Sequence, residues 1–275
     1  MKRIRMCVDA ACDQLLAGQV GYIFLRADDV AVPGIQFYRL MQMFAKYHVP
    51  LCLAVVPAWL TPARWRQLND IGRHRVRLWC WHQHGWRHFN HQMAGKKQEF
   101  GPKRTQSAIE NDIIRGRQRL EDLIGSRFYP VFTPPWNRCD FRTLKLIQKH
   151  DYLAVSTGKG SAEPSPDGLT NFYVNVDLHT RKEANPAAGW NNLFEELKAA
   201  ISSGYCGIMI HHQRMNDAAY EFLEILFKAI LARKKLQLVH FEDLVQVLNG
   251  SRFRVQGSGL RKSDIRNYST QDTET

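Results

Sequence analysis

The chain has 275 residues, 44% hydrophobic and 23% charged, which excludes a disordered or low-complexity protein and fits one large α/β domain. Its 38 Lys and Arg against 26 Asp and Glu give a formal charge of +12, spread along the chain rather than packed into one run. That surplus suits acidic partners: nucleic acid, an anionic lipid surface, or a phosphorylated or carboxylated substrate.

Residues 1–19 have the basic start of a secretory signal but lack its apolar stretch. "GYIFLRADD" (21–29) reads as a strand, and 33–48 has helical spacing with Phe37, Leu40, Met41 and Phe44 on one face. "VPLCLAVVP" (49–57) is a buried strand. Residues 61–72 form a helix with Thr61 as N-cap and Pro62 at its first position. "RVRLWCWHQH" (75–84) is the next strand, and 104–124 a long helix closed by Gly125. "RFYPVFTPPWN" (127–137) is a strand running into a proline turn, followed by a helix over 140–150 and a strand over 152–157. A Gly/Ser/Pro-rich loop (158–169) leads to strand 171–179 and helix 189–203. Strand 205–212, helix 216–234, strand 236–240 and a short helix 241–249 complete the pattern.

Repeated strand–helix units predict a parallel sheet with helices outside, either an open doubly wound sheet or a closed barrel. Residues 1–249 form a single domain on this reading, and 250–275 a flexible polar tail. The six cysteines form no CxxC pair, which fits a reducing compartment. No segment approaches the ~18 consecutive apolar residues of a membrane span. The protein is therefore expected to be cytoplasmic.

In parallel α/β folds, sites form at the carboxyl ends of the strands. Those ends carry Asp28-Asp29, then His82, His84 and His88, then "TPPWN", then Asp177 and His179, then His211-His212. Each has a bland reading. The aspartates suit a helix N-terminus, the His84/His88 pair suits a surface, and His211-His212 could be one buried and one exposed histidine. Together, two histidines four apart, neighbours on one face if they lie on a helical turn, and an aspartate from another strand suit a divalent metal, with positions left open for water.

Those residues resemble the NodB-homology polysaccharide deacetylases, the family-4 carbohydrate esterases. "ADD" (27–29), "HGWRH" (84–88), "TPPWN" (133–137), "VDL" (176–178) and "MIH" (209–211) follow that family's motif order over roughly residues 20–245. The resemblance implies a distorted (β/α)7-type barrel and a metal-dependent N-deacetylase acting on carbohydrate. It matches Asp28 to the catalytic base and Asp29, His84 and His88 to the ligands of a divalent ion, Zn2+ first and Co2+ next. Pro134, Trp136 and Asn137 fall in the groove-wall turn, and Met209 near the acyl methyl. His211 matches the general acid, with His212 as its rival if the register shifts by one, and Asp177 the acid that tunes it.

One departure stands out. Where the family's third motif begins with Arg, this chain has Thr133, and where its first motif has Thr, this chain has Arg26. Residues i and i+2 of a strand share a face, so Arg26 is expected beside Asp28, replacing the missing arginine; the alternative is a side chain that snorkels to solvent at the barrel rim.

The remaining histidines His48, His74, His150 and His240 read as surface or capping residues, and Trp59, Trp65 and Trp190 as packing. His82 and His179 could stand behind the ligands, and His91 lies beyond the motif. The substrate expected is an N-acetylated sugar or anionic glycan precursor, with the anionic membrane surface as a peripheral contact. The alternatives are a non-catalytic member that keeps the metal and binds anionic glycans, and a nucleic-acid binder, for which the chain carries no recognised motif.

Overall fold

In the first strand, alternate side chains fall into two different cores. We describe this in a computed structural model that covers residues 2–160, 163–181 and 183–249. Strand β1 (Gly21–Val30) turns Tyr22, Phe24, Arg26 and Asp28 one way and Ile23, Leu25 and Ala27 the other. Ile23, Leu25 and Ala27 pack under the helices. Tyr22 and Phe24 join Cys52, Cys80, Val131, Phe172 and Phe241 in a second, inner cluster. Both faces are buried, as a parallel sheet covered by helices requires.

The helices are α1 (Lys2–Asp13), α2 (Ile35–Tyr47), α3 (Pro62–Gly72), α4 (Gln106–Ile124), α5 (Phe141–Lys149), α6 (Pro186–Ser202), α7 (Asp217–Leu231) and α8 (Phe241–Asn249). The other strands are β2 (Leu51–Val55), β3 (Trp79–His84), β4 (Phe128–Thr133), β5 (Ala154–Val155), β6 (Thr170–Asn171), β7 (Val176–Asp177), β8 (Tyr205–Ile210) and β9 (Leu236–Val239). All pairings are parallel, in the order β6-β5-β4-β3-β2-β1-β8-β7, with β9 beside the start of β1.

The two ends of that order meet, because β6 and β7 belong to one stretch of chain. Phe172 N–H donates to Val155 O and Val174 N–H to Thr157 O, each at 2.8 Å. Asn175 N–H then donates to Gly207 O at 2.9 Å and Leu178 N–H to Met209 O at 3.2 Å. The stretch pairs first with β5 and then with β8, closing a distorted (β/α)7-type barrel. Its change of partner explains why an expected strand over 171–179 appears as two short pieces.

Local chemistry sets the helix starts. Thr61, Thr105, Asp140, Asn185 and Asn216 each accept a backbone N–H from the first turn of the helix that follows. Several boundaries differ from expectation, as β5 and β8 do by ending earlier than 157 and 212. Residues 73–78 form tight 3₁₀ turns, so the third strand begins at Trp79 rather than at Arg75. The sixth helix starts at Pro186, capped by Asn185. The N-terminal segment, for which no element was expected, forms α1: Ile4, Val8, Ala11 and Cys12 make a buried stripe at helical spacing. The expected tail 250–275 lies outside the described residues. No helix among the described residues is long and apolar enough to cross a membrane.

Helix α8 closes the amino-terminal end of the barrel with Phe241, whose ring stacks on Phe172 at 5.5 Å. At its start, His240 Nδ1 lies 2.9 Å from the Asp243 carboxylate, and Nε2 lies 3.2 Å from the Arg77 carbonyl. The close carboxylate at Nδ1 and the carbonyl at Nε2 favour the imidazolium, although the Asp243 N–H also points at Nδ1 from 3.4 Å. Burial lowers its pKa, but Asp243 outweighs that and the pKa rises to about 9. A folded pKa raised above the unfolded value gives stability fully present below about pH 6.5 and lost as pH rises through about 9. Denaturant titrations at pH 6 and pH 9.5 should show wild type losing about 2–3 kcal/mol more than His240→Gln over that interval. Equal losses would show that the pair does not hold α8.

Candidate metal centre

Consecutive residues of a regular strand point to opposite faces, so Asp28 and Asp29 could not share a site without a break in the strand. The break is present. The β1–β2 register shifts between Ala27 and Val30, and Asp29 takes a left-handed φ of 59°. Six non-glycine residues have positive φ among the described residues, and Asp29, His88, Trp136 and Asn137 are four of them. Such conformations persist only where the surroundings enforce them.

His84 ends β3 and His88 follows a turn through Gly85, whose φ is 58°. The pair does not lie on a helical turn, as the four-residue spacing had suggested; a left-handed turn brings the rings to 5.2 Å. His84 Nδ1 lies 3.0 Å from the Thr133 carbonyl, so Nδ1 carries the hydrogen and Nε2 keeps its lone pair. Asp29 Oδ1 lies 3.3 Å from His84 Nε2 and 3.1 Å from His88 Nε2. Oδ1 is nevertheless a buried atom with no aligned hydrogen-bond donor. One carboxylate and two imidazole donors thus converge within 4.8 Å of one another. Such a set fits a divalent cation, which satisfies all three lone pairs at once.

The charges agree. Burial raises the Asp29 pKa, but His84, His88 and His211 outweigh it and hold the carboxyl well below its usual range. Burial lowers the His84 pKa, but Asp29, Asp28 and the Thr133 carbonyl raise it overall. Burial and the neighbouring His84 push His88 down to about 4. Without an ion, the proton of this cluster rests on His84, and an ion entering there displaces it.

Asp28 faces the barrel and is 3% exposed. Arg26, fully buried, grips it through Nε at 2.8 Å and Nη2 at 2.9 Å. The guanidinium crosses the barrel: Nη1 reaches Ser156 O at 3.0 Å and Oγ at 2.7 Å, and Nη2 reaches Asn137 Oδ1. Burial raises the Asp28 pKa, but the Arg26 charge more than offsets this, and the carboxyl lies below its usual range.

The histidines after β8 divide sharply. His211 Nε2 lies 3.9 Å from Asp29 Oδ2, in the site. His212 turns into the core, its ring edge-on to Phe37 at 5.5 Å, and burial pushes its pKa down to about 4. His212 therefore does not line the open site as a substrate contact would. Asp177 is not brought to His211 either. Its carboxylate caps the end of β7, accepting from His179 N–H and Thr180 N–H at 2.9 Å each and from the Thr180 hydroxyl. His179 Nδ1 instead accepts the His211 backbone N–H at 3.2 Å.

The remaining residues lie around this centre. Trp136 is half-buried, with its ring 4.4 Å from that of His88, and Trp59 approaches the same ring at 5.7 Å. Pro134 is buried beneath the turn. Met209 is buried below it, its sulfur 3.2 Å from Asn137 Nδ2 and 3.5 Å from Arg26 Nη2. His82 is fully buried behind His84, with Nε2 2.9 Å from Thr133 Oγ1; burial pushes its pKa down to about 3. His91 is half-buried and outside the centre. One residue absent from the sequence reading is Glu99, 1% exposed, whose carboxylate accepts the backbone N–H groups of Trp86, Arg87 and His88.

No family model matches the sequence, and no curated protein does. Solved structures do match. A Mycobacterium smegmatis chain assigned as a polysaccharide deacetylase aligns with TM-score 0.61 and 16% identity, over 86% of this chain and 93% of that one. A family 4 acetyl xylan esterase from Clostridium thermocellum, solved with cobalt, aligns at 0.52 and 16%, over 83% and 92%. A family 4 carbohydrate esterase pseudoenzyme from Bacillus anthracis aligns at 0.52 and 11%, over 82% of this chain and 66% of that one. This chain therefore has the NodB-type (β/α) barrel fold of the family-4 carbohydrate esterases.

Proposed function

We propose that this chain is a metal-dependent hydrolase that removes an N-acetyl group from a carbohydrate. One observation carries the reading: Asp29 Oδ1 faces two histidine Nε2 atoms with no aligned donor, beside a buried carboxylate already paired with arginine. Asp29, His84 and His88 would hold Zn2+, or Co2+ in its place. Such an ion supplies Lewis acidity, polarising an acyl oxygen and acidifying water. Asp28, kept ionised by Arg26, takes the proton from the water that attacks the acyl carbon. His211 gives a proton to the departing nitrogen, so the C–N bond breaks to a free amine and acetate.

The substrate we propose is an N-acetylated sugar of an anionic glycan or glycoconjugate precursor, met in the cytoplasm or at the anionic inner membrane face. The net charge of +12 supports this, as do exposed Arg87 beside His88 and exposed Lys97, 6.0 Å from the centre of the Trp136 ring. Acetate release from N-acetylated oligosaccharides and nucleotide sugars, with Zn2+ or Co2+ added, tests the reading. His211→Ala should lower turnover about 10²-fold or more with metal affinity kept. His212→Ala should act chiefly through stability, by opening a cavity beside Phe37. The reverse result would transfer the acid role to His212.

A second reading is favoured by Thr133 standing where the family's arginine does, and by the pseudoenzyme among the similar structures. In it the chain keeps the metal and binds anionic glycans without turnover. Metal-loaded protein that binds glycan and releases no acetate would establish it.

A further inference from the structure

The structure assigns Glu99 as a positioning residue for the metal centre: its carboxylate fixes the turn that presents His88. The inference rests on the metal-site reading above. Glu99 Oε1 accepts the Arg87 N–H at 2.7 Å, and Oε2 accepts the N–H groups of Trp86 and His88, each at 3.2 Å. Three successive amides pointing at one anion form a nest, here filled by the chain's own side chain. Both oxygens act as acceptors, an arrangement that the ionised carboxylate serves best.

The turn needs such a hold. It runs from Gly85 at φ 58° to His88 at φ 56°, and a β-branched or bulky residue pays in strain for that conformation. A Cβ on Gly85 would sit 2.3 Å from Glu99 Oε2 and 2.6 Å from Pro135, so the carboxylate occupies space that only glycine leaves. On the other side, Gln83 Nε2 donates to Gly85 O at 3.0 Å. Glu99 is itself anchored. Phe100 is fully buried and pairs with Cys139, and its carbonyl accepts the Asp140 N–H at 3.0 Å. The backbone of 86–88 is therefore tied, through one side chain, to the segment that begins α5. His88 Nε2 reaches Asp29 only because of where that backbone lies.

Two measurements on the full-length protein test this. In the metal-free protein, amide hydrogen exchange over 85–89 should quicken about tenfold or more in Glu99→Gln, which loses at least one acceptor, and further in Glu99→Ala. In Co2+ titrations, the dissociation constant should weaken about 10–100-fold in Glu99→Ala, less in Glu99→Gln, with a changed visible Co2+ spectrum. Leu226→Ala, a core variant in α7, controls for lost stability alone and should keep the wild-type affinity and spectrum. If Glu99→Ala does not fold, Glu99→Gln decides. Wild-type exchange in the Glu99 variants overturns the assignment, as do wild-type Co2+ affinity and spectrum. A wild-type protein that binds no Co2+ would instead overturn the metal reading, and exchange alone would then judge Glu99.

Discussion

Zn2+ or Co2+ at about a hundred times its dissociation constant should stabilise the wild-type protein by about 2.7 kcal/mol, and Asp29→Ala should abolish that gain. For a chain of this size each kcal/mol moves the melting temperature by about 2–4 °C, so calorimetry resolves the difference easily. The physical reason is the orphaned Oδ1: without Asp29, two neutral imidazoles remain, and neither carries the charge that holds a divalent ion in a buried place. The gain should also shrink in acid. The proton on His84 must leave before its Nε2 can act as a ligand, and its pKa is raised, so affinity falls as pH drops through that range. An Asp29→Ala protein with an undiminished metal-induced shift would falsify this site.

The strands and helices were legible because their signals are local. Thr61-Pro62 starts a helix and Gly125 ends one, and the apolar alternation of 21–29 marks a strand, whatever surrounds them. Helix α1 was hidden because its apolar stripe is thin, four residues among charged neighbours, and only the faces of α6 and α7 make it a core element. Whether the sheet closes depends on residues 170–178 changing partner in mid-strand, a long-range fact with no local pattern.

The convergence of strand ends could be read because parallel α/β folds gather them, but the conformations that aim the side chains could not. Nothing in "ADD" specifies that Asp29 turns left-handed and joins Asp28 on one side. The four-residue spacing of His84 and His88 suggested a helical turn, whereas a glycine and a remote glutamate shape it. Gly85 was the available clue, since a glycine between two candidate ligands marks a backbone that a side chain would obstruct. Asp177 has the opposite lesson: a carboxylate near a histidine in sequence order can be spent on two backbone amides, leaving His179 to hold the His211 backbone.

Replacing Arg26 with threonine should cost about 3–5 kcal/mol at neutral pH, because it leaves the buried Asp28 carboxylate without its hydrogen-bonded counter-ion. The sign follows from the shift. In the wild type the folded Asp28 pKa is lowered, so its contribution is present above the unfolded carboxyl pKa and lost as pH falls through the folded value. In Arg26→Thr burial, the largest influence on Asp28, is opposed only by the charges of His84 and His211, so the folded pKa rises above the unfolded one and stability is lost as pH rises. The gap between the two proteins should therefore be widest near neutrality and narrow towards acid. Turnover should fall with it, its acid limb moving to higher pH as Asp28 resists ionisation. The double variant Arg26→Thr/Thr133→Arg separates a lost partner from a merely damaged core. The Arg26 guanidinium already lies beside Ser156, just past β5, and Asn137, in the turn after β4, and Thr133 ends β4 with its hydroxyl 2.9 Å from the buried His82 Nε2. If the two positions are alternative sources of one charge, the double variant should recover much of the lost stability and turnover. Thr133→Arg alone should be worse than wild type, since two guanidinium groups would then compete for one buried carboxylate. Near-normal turnover and metal affinity in Arg26→Thr, or strict additivity in this cycle, would show that Arg26 fills space and no more.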